Sequence, residues 1–99
     1  MDEVLGLLGL LNKGGKLVFG QSIFFSRKIK LLLLAKDASK NSKEKAINFA
    51  KSNSIDLIEL SSKEILGQAI GYEEISLVGI IDSKAAKAMK NKVESKGVK

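Results

Sequence analysis

Two runs of this chain, residues 31–35 and 77–81, are apolar at consecutive positions rather than alternate ones. Successive side chains of a strand point to opposite faces, so a strand apolar at every position belongs in a sheet covered on both sides. Two further runs, 16–19 and 56–60, also have strand character, and helical segments separate the four. The architecture expected is α/β: a three-layer α-β-α sandwich with a four-stranded mixed sheet. At 99 residues the chain reads as one domain over 1–99, long enough to bury roughly two-thirds of its unfolded surface.

The segments between the runs read as helices. Val4, Leu5, Leu7, Leu8, Leu10 and Leu11 make a first helix, apolar enough to lie mostly in the core and ending before Gly14-Gly15. A short helix follows Gly20 through Ile23, Phe24 and Phe25 to about Lys28. Ser39 is placed to cap a third, which carries Ala46, Ile47, Phe49 and Ala50 to a break at Ser52-Asn53-Ser54. A fourth spans 62–70. A fifth starts near Ser83, turns Ala85, Ala86, Ala88, Met89 and Val93 inward, and frays in a lysine-rich tail over 83–99.

Composition narrows the function. The chain has no cysteine and no histidine, which removes thiolate chemistry, the commonest general base and the commonest metal ligand. No catalytic site, metal or cofactor is expected. The apolar stretches fall short of the ~20 residues a membrane span needs, and the Met1-Asp2-Glu3 start lacks a basic leader. A cytoplasmic protein without a membrane partner is the expectation. The net charge of +6 is segregated: residues 12–40 carry seven cations against Asp37, residues 83–99 six against Glu94, and the stretch between is mildly acidic. Such blocks favour a polyanion partner, although a lysine-rich helix is also simply well solvated.

Several features mark candidate sites. In Ser61-Ser-Lys-Glu-Ile-Leu-Gly-Gln-Ala-Ile-Gly71, Ser61 and Glu64 have capping-box spacing, and Gly71 suits the left-handed residue that ends a helix. The connection that follows carries Ile70 and Tyr72, which either form a partner surface or seal the sheet edge. Gly20 opens a helix after the first strand, where the amides of Gln21 and Ser22 offer an anion site, or where the chain merely turns. Asp37 and Asp82 each follow a strand, at the carboxyl ends where open α/β sheets bind ligands, and two such aspartates could hold magnesium, but no hydroxyl or lysine motif completes that arrangement and Asp82-Ser83 reads as a helix cap. Gly14-Gly15-Lys16 is too short for a phosphate loop.

Leu8-Gly9-Leu10 with Lys13 and Lys16, then Gly20, the stretch Leu31-Leu-Leu-Leu-Ala-Lys-Asp-Ala-Ser39, and Leu66-Gly-Gln-Ala-Ile-Gly71 leading to Ile80-Ile-Asp82 resemble one family. It is the kink-turn RNA-binding family of large-subunit ribosomal proteins 7Ae and 30e, the likeness being greatest to its small bacterial YlxQ-type members. The resemblance implies the same sandwich and a non-enzymatic, ribosome- or translation-associated protein that binds a sharply bent RNA loop and no small-molecule substrate. It implies that Gly20, Gln21 and Ser22 present polar groups, that Ile70, Gly71 and Tyr72 pack against an extruded base, and that Asp37 matches a family acid. Lys13, Lys16 and Lys36 would contact phosphates beside the 70–73 loop. Where the family reads G-x-N-E-x-x-K, this chain has Ser22, Ile23 and Ser26 at the polar positions, and Ile23 cannot read a base edge. The alternative is a protein-interaction module on the same fold, with Phe24 or Phe25, Ile70 and Tyr72 as its apolar patch.

Overall fold

The computed structural model describes residues 2–95, so residues 96–99 of the lysine-rich tail lie outside the described residues. The four apolar runs form β1 (Leu17–Phe19), β2 (Leu31–Leu34), β3 (Asp56–Glu59) and β4 (Leu77–Ile80), ordered β1-β4-β2-β3 across one mixed sheet. The two consecutively apolar strands take the two central places, and every residue of both is buried. The edge strands, flanked on one side only, stay partly exposed. β2 pairs parallel with β3 through a helical crossover, while β4 runs antiparallel to both β1 and β2.

Helices α3 (Lys63–Ala69) and α4 (Ser83–Ser95) pack against α1 (Asp2–Lys13), and α2 (Lys40–Ser52) lies on β2 and β3. A 3-10 segment, Gly20–Phe25, joins α2 through an edge-to-face pair of Phe24 and Phe49 with centroids 5.4 Å apart. Val4 and Leu8 of α1, Leu66 of α3 and Met89 of α4 are completely buried together with the four leucines of β2. The helix period sets the rest: Leu10 is 66% exposed and Ala88 is exposed, although both were expected inside. Gly79 in β4 lets Ile29 lie directly on the sheet, since a Cβ there would meet Ile29 Cδ1 at 2.6 Å.

Caps explain where the helices start. Ser39 Oγ accepts from Ser42 N–H at 3.2 Å, and Asp82 Oδ2 accepts from Ala85 N–H at 2.9 Å. The expected cap at Ser61 moves one residue on: Ser62 Oγ accepts from Ile65 N–H at 3.2 Å, and Glu64 instead accepts from the Gln68 side chain. Ser61 is diverted because it takes a left-handed φ of 53° and its carbonyl accepts from Lys36 N–H at 2.7 Å, tying it to the end of β2.

Candidate functional site

β1 and β2 both run antiparallel to the β4 between them, so their carboxyl ends share one rim of the sheet, where β4 begins. At this upper rim Gly20, at φ 62°, turns the chain out of β1, while Lys36 and Asp37 follow β2. Gln21 and Ser22 are exposed. A cleft of about 400 Å³ opens between Gly20–Gln21, the first turns of α2 at Ser42 and Lys45, Lys63, and the 74–77 segment. The segment after Gly20 is a six-residue 3-10 turn rather than an α-helix, so the helix-dipole anion site expected there does not form.

The loop after α3 is bound tightly to that helix. Gly71 has the left-handed φ expected, 86°. Tyr72 N–H donates to Gly67 O at 2.8 Å, and Ile75 N–H donates to Lys63 O at 3.0 Å. The approach requires Gly67, because a Cβ there would stand 2.8 Å from the Glu74 backbone. Ile70 and Tyr72 part company. Ile70 is 6% exposed, its carbonyl accepting from the Asn12 amide at 3.2 Å, so it seals the core and offers no side chain outward. Tyr72 is 51% exposed and its ring leans on Phe19, centroids 5.4 Å apart.

The lysines expected to converge here do not all do so. Lys36 is at the upper rim, and Lys13 is exposed in the last turn of α1 beside Asn12. Lys16 precedes β1 and therefore sits at the opposite, lower rim, where its carbonyl accepts from Ile81 N–H and its ammonium stands 4.0 Å from Asp82. Two cations not singled out from the sequence, Lys45 and Lys63, line the cleft instead. Their only sequence signal is that each follows a cap closely, Lys63 directly after Ser62 and Lys45 in the second turn after Ser39.

The acids play other parts than a shared metal site. Asp37 and Asp82 lie at opposite rims because β2 and β4 are antiparallel, and each caps a helix; Asp37 Oδ1 accepts from Lys63 N–H at 2.8 Å. Among the described residues no three or more acidic, histidine or cysteine side chains gather as a metal site. Glu64, Glu73 and Glu74 surround the outer side of Tyr72. In the 22–26 stretch Ile23 is completely buried, Phe25 is 85% exposed, and Ser26 Oγ accepts from Lys28 N–H at 3.2 Å.

The fold is a small α-β-α sandwich whose glycine turn after the first strand faces the segment before the last across a cleft of mixed polar and apolar lining. The chain belongs to the ribosomal protein L7Ae/L30e/S12e/Gadd45 family, whose model matches residues 2–90. It is 30% identical over 97 residues to a protein named RNA-binding protein YlxQ from Enterococcus faecium, a match covering 94% of this chain and 93% of the relative. It is 31% identical over 84 residues to the RNA-binding protein YlxQ of Bacillus subtilis (strain 168), covering 81% and 84%. A solved structure of a protein of unknown function from Bacillus halodurans superposes with a TM-score of 0.89 at 23% identity, over 95% of this chain and 99% of that one, which establishes the shared fold. Among the described residues no helix is long and apolar enough to cross a membrane.

Proposed function

We propose that this chain is a non-enzymatic protein that binds structured, kink-turn-like RNA at the upper rim of its sheet, in the cytoplasm and in association with ribosomal RNA or translation. The observation that carries the reading is that one rim of the sheet holds both a cleft lined by Gly20, Gln21, Lys45 and Lys63 and, beside it, the exposed Tyr72, whose ring rests on Phe19 at the end of β1. Exposed Gln21 and Ser22 supply donors and acceptors for sugar and base edges. Tyr72, backed by Phe19, supplies a platform on which an unstacked base is worth roughly 1–3 kcal/mol. Lys36, Lys45 and Lys63 face the phosphates, and Asp37 fixes the start of α3 by accepting from the Lys63 backbone N–H. With Ile23 turned into the core, recognition rests on RNA shape and stacking rather than on reading base pairs. The names of the two curated relatives support the same class of ligand.

Filter binding tests this with a kink-turn RNA and a straight duplex of equal length, each across a salt series. Tighter binding to the kink-turn at low salt, weakened by Lys45→Glu/Lys63→Glu, is expected. No binding at low salt, or equal binding to the two RNAs, overturns it.

A second reading has its own observation. Phe25 is 85% exposed, and three carboxylates surround Tyr72, a setting that suits a protein partner better than phosphate. The Lys45→Glu/Lys63→Glu variant separates the two, because a mainly apolar protein contact survives it.

A further inference from the structure

Lys16, which the structure places at the lower rim rather than the upper, has further cations for company there. Lys16 stands where β1 begins, and Lys30 N–H donates to Ile80 O where β2 begins and β4 ends. From there α4 leaves β4 and crosses beneath the sheet until Lys90 reaches Asp56 at the start of β3. Between Lys30 and the outer side of α4 lies a shallow groove of about 440 Å³, with Ser83, Lys87, Lys90 and Asn91 on its walls and Glu94 at one end. Lys90 donates to the Asp56 carboxylate, and that hydrogen bond and charge hold its ammonium above the ordinary lysine value, with Glu94 adding a little. Among the described residues no carboxylate pairs with Lys30, Lys84 or Lys87.

We infer that this lower groove is a second RNA contact, one that takes the phosphate backbone of a segment flanking the element held at the upper rim. The inference rests on the RNA-binding reading above and extends it. Unpaired Lys30 and Lys87, with the hydroxyl of Ser83, the amide of Asn91 and the Asp56-bound Lys90 beside them, suit a phosphate chain, which needs charge and hydrogen-bond donors at several successive points. It does not suit a lipid surface. The large exposed apolar side chains, Leu10, Phe25, Ile47, Ile65 and Tyr72, all lie outside this groove, and an interfacial helix needs an apolar face to insert. The charge map agrees: the upper rim has the aromatic platform and the cleft with its lysines but also Glu64, Glu73 and Glu74, so the lower groove adds electrostatic affinity to a contact whose shape is read above. The domain measures 29 × 26 × 25 Å, so an RNA that touches both rims extends well beyond a single loop.

The test compares the full chain, Lys30→Glu/Lys87→Glu and Lys45→Glu/Lys63→Glu on a kink-turn RNA with long flanking arms. Binding is followed from 50 to 200 mM salt, and circular dichroism checks that each variant is folded. Removing two phosphate contacts lowers the slope of log affinity against log salt by about 1.8, so the advantage of wild type over Lys30→Glu/Lys87→Glu shrinks roughly tenfold across this range. The preference for kink-turn over duplex stays unchanged in that variant and falls in the upper-rim one. A Lys30→Glu/Lys87→Glu protein with wild-type affinity and slope overturns the inference and leaves the upper-rim reading standing. A wild-type protein that binds no RNA at low salt removes both. Lys30- and Lys87-dependent sedimentation with phosphatidylserine vesicles, alongside an unchanged RNA salt slope, would reassign the groove to a membrane.

Discussion

Gly67→Ala puts the docking of the 70–76 loop to a direct test. The added methyl group would stand 2.8 Å from Glu74 Cα and N and 2.9 Å from the Glu73 carbonyl carbon. Ordinary contacts at such atoms begin near 3.4 Å, so the loop has to retreat by more than half an ångström. Every atom in the way is backbone, and no side-chain rotation relieves it. Overpacking of this kind costs about 1–3 kcal/mol, against which Ala in a helix gains about 1 kcal/mol over Gly. Gly6→Ala is the matched control: it lies inside α1, and a Cβ there meets nothing within 4 Å, so only the propensity gain remains. The difference between the two variants therefore isolates the clash at about 1–3 kcal/mol. For a domain of this size each kcal/mol moves the melting temperature by about 4–8 °C, so thermal unfolding by circular dichroism resolves it. Gly6→Ala should melt above wild type and Gly67→Ala at least about 4 °C below Gly6→Ala. Because Tyr72 rides on the displaced loop, Gly67→Ala should also lose RNA affinity while Gly6→Ala keeps it. If Gly67→Ala stabilises as much as Gly6→Ala, the loop is not packed on α3 as described.

Tyr72→Ala should weaken RNA binding about fivefold or more, from a stacked base worth roughly 1–3 kcal/mol, while losing about 0.5–1.5 kcal/mol of stability with the Phe19 ring contact; Tyr72→Phe should retain both, as judged by titration calorimetry and melting. Asp37→Ala removes the acceptor for Lys63 N–H and should lower stability by about 1 kcal/mol, with faster hydrogen exchange at the Lys63 amide. Leu33→Ala, in the completely buried β2, should destabilise by about 2–5 kcal/mol in urea, whereas Leu10→Ala on the exposed side of α1 should stay within about 0.5 kcal/mol.

Much of the fold was legible because it depends on local pattern. Consecutive leucines at 31–34 identified a central strand, and Ser39, Asp82 and Gly71 stand at helix boundaries for reasons of their own chemistry. What the pattern did not carry was strand direction. Nothing in the residues of β4 says that it runs against β1 and β2, and that one fact sends Lys16 and Asp82 to the lower rim and leaves Gly20, Lys36 and Asp37 at the upper. Ile70 looked exposed because its burial depends on Asn12 and α1, 58 residues earlier in the chain. Ser61 lost its capping role to a backbone hydrogen bond from Lys36, also distant in sequence. Lys45 and Lys63 were invisible as site residues for the same reason: their neighbours across the cleft come from Gly20 and the 74–77 segment.

Titrating isotope-labelled protein with a kink-turn RNA and following the backbone amide resonances addresses the central claim most directly. The account predicts that the largest shifts fall at residues 20–22, at Lys63 and along 71–76, with a second set near Lys30 and Lys87 when the RNA carries long arms. Amides at 20–22 and 71–76 that stay unmoved while RNA binds elsewhere, or a spectrum that RNA does not change, would contradict it.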